Sequence, residues 1–121
     1  MHRSIKIAVA VLFAAHLLGC AGYRAAKLYQ SGTTALNAGE TERAVLELEQ
    51  AALLAPDASE IQNHLGLALA AGGQRQQALA AFERAVDLDC QNAAAKTNLA
   101  ATRFQAPEPR RVADETAAGE L

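Results

Sequence analysis

The sequence of 121 residues predicts an all-α protein built from antiparallel helix hairpins that repeat along the chain. Hydrophobic residues make up 51% of the chain, but aromatic residues only 4%, and Trp is absent. The apolar residues are therefore mainly Ala and Leu, which favour helices over strands. Small residues also recur at a spacing of 34, as in Gly32 and Gly66 or Ala44 and Ala78. The length is too short for two ordinary domains, so we expect one compact unit with tails.

The first element is a short apolar segment that ends at a cysteine. Arg3 and Lys6 give it a basic start, and residues 7–18 are apolar apart from His16. Twelve residues in a helix extend about 18 Å, well short of a bilayer core of about 30 Å. The segment is thus too short to span a membrane as a helix and has the size of an export signal.

The end of this segment, Leu17-Leu18-Gly19-Cys20, resembles the lipobox of bacterial lipoprotein signal peptides. The resemblance implies that residues 1–19 are a signal peptide and that Cys20 carries covalent lipid, including palmitate. An ordinary secretory signal with an incidental Cys20 remains the alternative. Ala21 follows the cysteine, where an Asp would favour the inner membrane in enteric bacteria. We therefore expect a protein anchored in the outer membrane and facing the periplasm, with the inner membrane as the alternative.

The middle of the chain contains two segments of one pattern, residues 25–58 and 59–92. They resemble tetratricopeptide repeats, whose two helices carry a large residue, Leu-Gly and a further large residue, then Ala, a large residue and Ala, with Pro near the end. The matching residues are Leu28, Gly32, Ala44, Leu48, Ala51 and Pro56 in the first segment, and Leu65, Gly66, Leu69, Ala78, Phe82 and Ala85 in the second. The departures from the pattern are Ser31, Ala35 and Cys90. The resemblance implies a helical solenoid of about two repeats.

Four helices are predicted in these segments, at about 22–38, 41–54, 58–71 and 75–88. Gly32 and Gly66 lie in the middle of helices, where Gly costs about 1 kcal/mol relative to Ala, so we expect close helix crossings there. Turns are expected at residues 37–39 and 72–73, which contain Gly. Asp57 and Glu60 have the spacing of a capping box that would open the third helix.

A fifth helix is predicted at about 92–104, with Leu99 in the Leu position of the pattern. It resembles the first helix of a third repeat and would cap the stack by covering the apolar side of its neighbour. The repeat module would then occupy residues 20–104. Residues 105–121 contain two Pro and many charged residues without an apolar period, and are expected to be disordered. Two repeats and a cap form a small solenoid, so dimerisation stays open.

Composition argues against several classes of function. A chain beginning at Cys20 would have nine basic and thirteen acidic residues, a net charge of −4, which argues against binding nucleic acid. We expect no metal site and no cofactor other than the lipid on Cys20, because the ligand spacings of Cys and His are missing. Glu40, Glu42, Glu47 and Glu49 are interpreted as a solvated helix face. We expect a protein that is not an enzyme; the alternative is a thiol-dependent activity of Cys90, with His64 on the third helix.

A binding function is therefore predicted. The resemblance implies a concave groove lined by the first helix of each repeat, with these candidate contact residues: Tyr29, Thr33, Leu36, Asn63, Leu67, Ala70, Thr97 and Ala101. The groove is mildly apolar and would receive an apolar or amphipathic segment of another envelope protein. The predicted role is a lipid-anchored scaffold, by analogy in the assembly of a pilus or secretion system. A cell-wall or outer-membrane assembly factor is the alternative.

Overall fold

The computed structural model describes the backbone of residues 2–105 and the side chains of residues 19–105. All regular structure in this part is helical and consists of α1 (His2–Asn37), α2 (Thr41–Leu54), α3 (Ser59–Ala71), α4 (Arg75–Leu88) and α5 (Ala93–Phe104). The all-α repeat architecture is confirmed, and the predicted bounds of α2 and α4 are correct. Apart from Gln105, the predicted tail lies outside the described residues.

The start of α1 differs from the prediction. The helix was expected to begin near residue 22 but begins at His2 and runs through Cys20 without a break. The first repeat helix was predicted apart from residues 1–19, which were assigned to a signal peptide, but the apolar residues before Cys20 also favour helix and continue into it. In the part of the chain with described side chains, no helix is both long and apolar enough to cross a membrane.

Consecutive helices form two hairpins, α1 with α2 and α3 with α4, joined by turns of the same construction. Gly39 has φ = 77° and Gly73 has φ = 74°, a left-handed conformation that side chains disfavour. In each turn, the amide of the next residue donates to a carbonyl five residues earlier, from Glu40 to Ala35 and from Gln74 to Leu69, at 2.9 Å. This hydrogen bond ends the helix as in a Schellman motif, so the predicted turns are confirmed.

The helices of each hairpin cross at a glycine. A Cβ atom on Gly32 would lie 2.8 Å from Leu48 Cγ, and one on Gly66 would lie 2.5 Å from Phe82 Cε1. Both distances are far below van der Waals contact, so only Gly allows these side chains to lie against the opposing backbone. The close crossings predicted from the sequence are confirmed.

The second helix of each hairpin contributes the centre of the core. Leu48 and Phe82 are the largest fully buried side chains. They are flanked by four alanines with no exposed area: Ala44, Ala51, Ala78 and Ala85. Burial of a side chain of this size stabilises the fold by about 1.5–3 kcal/mol. One continuous cluster joins Leu48 and Phe82 to Leu65, Leu69 and Leu99, so the hairpins and α5 share a core.

Polar contacts attach α5 to the second hairpin. The Asn92 side chain accepts a hydrogen bond from the Ala95 amide, which caps α5, and donates one to Ser59 Oγ at 2.9 Å. At the other end of α5, Arg75 Nε donates to the Thr102 carbonyl oxygen at 3.1 Å. Leu99 of α5 is buried, and α5 covers the side of α4 as a capping helix.

The predicted capping box at α3 is wrong. The helix begins at Ser59, so its N-cap is Ala58, which provides no side-chain hydrogen bond. Asp57 lies one residue too early to cap it. Ser59 instead donates its hydroxyl to the Ala85 carbonyl at the end of α4, at 2.8 Å. The entry to α3 is therefore held by tertiary contacts rather than by a local cap.

Candidate binding groove

The predicted groove residues lie on three helices that are placed side by side, α1, α3 and α5. They form rows of equivalent positions, one residue per helix: Tyr29, Asn63 and Thr97; Thr33, Leu67 and Ala101; Leu36 and Ala70. Members of one row are 34 residues apart, the length of the repeat. We refer to the surface formed by these three rows as the groove.

A contact between an aromatic ring and a histidine joins α1 to α3 beside the first row. The Tyr29 hydroxyl lies 3.2 Å from His64 Nδ1, and the two rings meet edge to face with centroids 5.2 Å apart. His64 Nδ1 also lies 2.9 Å from the Glu60 carbonyl oxygen, which can only accept, so this nitrogen carries a proton. Burial, and secondly the charge of Glu60, raise the pKa of Tyr29 above its ordinary value. The phenol of Tyr29 therefore keeps its proton to a higher pH than that of an exposed tyrosine.

The equivalent contact between α3 and α5 uses two amides. Asn98 Nδ2 donates to Asn63 Oδ1 at 2.9 Å, and the two residues are 35 positions apart, as are Tyr29 and His64. Asn63 is only 5% exposed. Its side chain is therefore placed between the helices and not on the open surface of the groove, a position that sequence reasoning did not foresee.

The other end of the groove is apolar. Leu36, Leu67 and Ala70 are partly buried and pack against the core, and Thr33 is also half-buried. Thr97 and Ala101 are exposed on α5, which has no neighbour on its far side among the described residues. The groove is therefore open on its α5 side.

Sequence reasoning missed one surface residue at the apolar end of the groove. Phe104 is 89% exposed and occupies the position equivalent to Leu36 and Ala70, 34 residues after Ala70. It completes the third row of the groove. The same 34-residue spacing could have identified it, but the prediction for the last helix used only Thr97 and Ala101 and left out its final residue.

The residues considered for chemistry lie apart from one another in the fold. Cys90 is exposed in the loop between α4 and α5, whereas His64 lies on α3 with its Nδ1 engaged as described. In residues 19–105, no group of three or more His, Cys, Asp or Glu side chains could hold a metal ion.

The glutamates of α2 take part in a surface network. Arg43 bridges Glu40 at 2.9 Å and Glu47 at 3.0 Å, and its Nη2 donates to Ser31 Oγ on α1 at 3.2 Å. The Ser31 hydroxyl, and then Arg43, lower the pKa of Glu47. Exposed ion pairs of this kind contribute little to stability, about 0–1 kcal/mol each. Glu40, Glu42 and Glu49 are exposed as expected, but Glu47 is half-buried because it lies against α1 beside Gly32.

With this geometry established, similarity to known proteins identifies the repeat. Residues 59–92 match the tetratricopeptide repeat family. The match covers α3, α4 and the loops that follow each of them. A TPR repeat-containing protein of Pseudomonas aeruginosa is 43% identical over 68 residues, which cover 56% of this chain. The chain spans 28% of the length of that relative. The hairpin of α1 and α2 repeats the crossing and turn of the matched hairpin.

Tetratricopeptide repeats generally mediate protein–protein interactions. Stacked repeats create an extended concave surface because each hairpin is slightly rotated against its neighbour. The rows described above run across such a surface. The described part of the chain therefore has the helical repeat architecture that is common in protein-interaction modules.

Proposed function

We propose that this protein is a lipid-anchored scaffold of the bacterial envelope whose groove binds a segment of another envelope protein, as in the assembly of a pilus or secretion system. The observation that carries the proposal is the third row of the groove, Leu36, Ala70 and Phe104, which offers apolar surface beside Leu67. An amphipathic segment would bury its apolar side chains there. The contacts of Tyr29 with His64 and of Asn63 with Asn98, beside the first row, hold the three helices in place.

The proposed anchor is Cys20. Its side chain is exposed, and it directly follows the apolar segment of the sequence. Lipid on this residue would hold the module at the membrane, since two or more acyl chains anchor a protein stably. The similarity to a protein from Pseudomonas aeruginosa supports a bacterial origin. We propose the outer membrane, with the module in the periplasm.

Membrane fractionation of cells tests the anchor. Cys20→Ser is expected to move the protein from the membrane fraction to the soluble periplasmic fraction. Cys90→Ser is the matched control, because it removes the other cysteine and is expected to stay in the membrane. Membrane retention of Cys20→Ser would contradict lipid anchoring at this residue.

Pull-down from solubilised membranes tests the groove. Tyr29→Ala, Leu67→Ala and Phe104→Ala are each expected to reduce recovery of the partner, and Leu67→Ala the most because of its central position. Leu46→Ala is the matched control: this leucine is exposed on α2, away from the three rows. Unchanged recovery with all three groove variants would place binding on another surface.

A further inference from the structure

One face of α1 carries the proposed lipidation site together with an aromatic residue and two basic residues. The face is formed by residues three, four and seven positions after the first, namely Cys20, Tyr23, Arg24 and Lys27. All four are exposed. The Lys27 ammonium lies 5.9 Å from the centroid of the Tyr23 ring, so these two side chains extend on the same side of the helix. We refer to these four residues as the anchor stripe.

The anchor stripe lies outside the packed interior of the first hairpin. The inward face of this part of α1 is formed by Ala25, which is 2% exposed, and by Gly32, over which Leu48 lies. Tyr23, by contrast, is 66% exposed. An exposed tyrosine beside basic residues is typical of the part of a protein that meets a membrane interface.

The charges of the anchor stripe are not neutralised by ion pairs within the described chain. The ion pairs of residues 19–105 use Arg43 and Arg103, so Arg24 and Lys27 form none there. Residues 19–37 of α1 contain these two basic residues and no acidic residue. Residues 38–105 contain five basic and nine acidic residues. The module is therefore positive beside Cys20 and negative over its other helices.

An anionic membrane surface complements this distribution of charge. Lys and Arg near such a surface are attracted to the phosphate groups of the lipids. The surface would attract α1 and repel the acidic entry to α3, which contains Asp57 and Glu60. The Tyr23 ring would place apolar carbon at the acyl boundary and its hydroxyl among the headgroups. The charge pattern thus favours an orientation in which α1 faces the membrane.

The distance between Cys20 and the packed module is short. Ala25 belongs to the core and follows Cys20 by five residues in one continuous helix, which is about 7.5 Å along the axis. A lipid on Cys20 would therefore hold the module beside the bilayer without an intervening linker. Tethering at this distance gives the stripe a high effective concentration at the surface, so that weak contacts are sufficient to orient α1.

We propose that the anchor stripe binds anionic phospholipid headgroups and holds α1 against the bilayer surface. Arg24 and Lys27 pair with phosphate groups, and Tyr23 inserts its ring between the headgroups. This inference deepens the proposed function and rests on the membrane anchoring proposed there. Tyr29 and Thr33 of the groove lie on a different face of α1, so contact with the membrane leaves them free for a partner.

Tryptophan fluorescence tests this contact, because the sequence contains no Trp and a single substitution supplies the one probe. Gln30→Trp places the probe on an exposed position of α1, about 15 Å along the helix from Cys20, where closeness to the anchor does not by itself ensure contact. Phe104→Trp is the control probe at the exposed end of α5. Each protein is reconstituted into phosphatidylcholine bilayers with spin-labelled headgroups, with and without phosphatidylglycerol.

We expect strong quenching of Gln30→Trp on bilayers with phosphatidylglycerol and weak quenching without it, whereas Phe104→Trp is quenched weakly on both. Replacing Arg24 and Lys27 by Gln beside the Gln30→Trp probe should lower the ratio of bound to detached stripe about 25-fold, about fivefold for each charge. Arg103→Gln is the matched control, because it removes a basic residue at the far end of α5 and should leave the quenching unchanged.

The proposal is overturned by equal quenching of Gln30→Trp with and without phosphatidylglycerol, or by unchanged quenching after the loss of Arg24 and Lys27. The proposed lipid anchor fails separately, when Cys20→Ser leaves the protein in the membrane fraction of cells. The quenching comparison is independent of that result, because it applies equally to a chain held in the bilayer by residues 1–19 and to a soluble chain mixed with the same vesicles.

Discussion

The two hairpins of this protein have the same backbone construction but different side chains at their centres. In the first, Leu48 lies over Gly32; in the second, Phe82 lies over Gly66. A leucine can change rotamer when its surroundings change, whereas a fully buried ring has little freedom to move. The glycine allows the two helices to cross closely. The side chain opposite the glycine determines how well the crossing accommodates a larger residue in its place.

The hairpins also differ at the position where the repeat pattern carries its first large residue, three residues before Leu-Gly. Leu28 in the first hairpin is half-buried and apolar, while Gln62 in the second is buried and polar. It is nevertheless the second hairpin, residues 59–92, that matches the repeat family. This one large position can therefore change without loss of the architecture.

The largest expected effect comes from removing the central side chains. Phe82→Ala is expected to lower the free energy of unfolding by about 3–5 kcal/mol and Leu48→Ala by about 2–5 kcal/mol, because each leaves a cavity. Chemical denaturation followed by far-ultraviolet circular dichroism measures this loss. Leu53→Ala is the control, since an exposed leucine should change stability by only about 0.5 kcal/mol. A loss for Phe82→Ala no greater than for this control would contradict the comparison.

A smaller effect is expected from adding one methyl group at each crossing. Gly66→Ala places a Cβ against three ring atoms of Phe82, all within 2.9 Å, and overpacking of this kind costs about 1–3 kcal/mol. Gly32→Ala meets the more adaptable Leu48 and should cost less. The gain in helix propensity, about 1 kcal/mol, offsets part of both.

Gly22→Ala is the matched control for this pair, because nothing lies within 4 Å of the added atom. It is expected to raise the melting temperature slightly, while Gly66→Ala lowers it and Gly32→Ala falls between them. Melting curves of the three variants give this order. Equal melting temperatures for Gly66→Ala and Gly22→Ala would show that the second crossing is not close-packed.

The smallest expected effect concerns the contact between the hairpins. Because the pKa of Tyr29 is raised in the folded protein, its stabilising contribution is complete below the ordinary tyrosine pKa near 10 and is lost as the pH rises through the raised value. In a Tyr23→Phe variant, Tyr29 is the one remaining tyrosine of the two in the sequence. Ultraviolet absorbance of the phenolate then reports its titration directly.

The midpoint of this titration is expected to lie above that of the same variant unfolded in urea. Adding Glu60→Gln should lower the midpoint in part, since the charge of Glu60 is the second cause of the shift after burial. Identical midpoints in the folded and unfolded protein would mean that Tyr29 is not enclosed by its contact with His64 on α3.

Sequence reasoning succeeded where the structure depends on neighbouring residues. The bounds of α2 and α4, the turns at Gly39 and Gly73 and the crossings at Gly32 and Gly66 were all predicted. It failed at the start of α1, because residues 1–19 were treated as a separate signal segment although they continue the same helix. The predicted capping box failed because α3 begins at Ser59, so that Asp57 lies before the N-cap. The Ser59 hydroxyl donates to a carbonyl of α4 instead.

The groove was predicted in outline but not in its details. The rows follow from the 34-residue period, and so does Phe104, which was overlooked at the end of α5. Which of the groove residues are exposed and which are enclosed between helices could not be predicted. Asn63 and Leu67 lie one helical turn apart, yet Asn63 is buried between helices and Leu67 is only half-buried.

The sequence by itself determined the helices, their turns and the repeat, because these depend on helix propensity and on glycines at particular backbone conformations. Only the tertiary structure decided which polar side chains are paired. Tyr29 meets His64 and Asn63 meets Asn98 across 35 residues, and Ser59 donates to the Ala85 carbonyl oxygen on α4. Such pairing depends on how far one helix rotates against the next, and that rotation results from the packing of all the side chains between them.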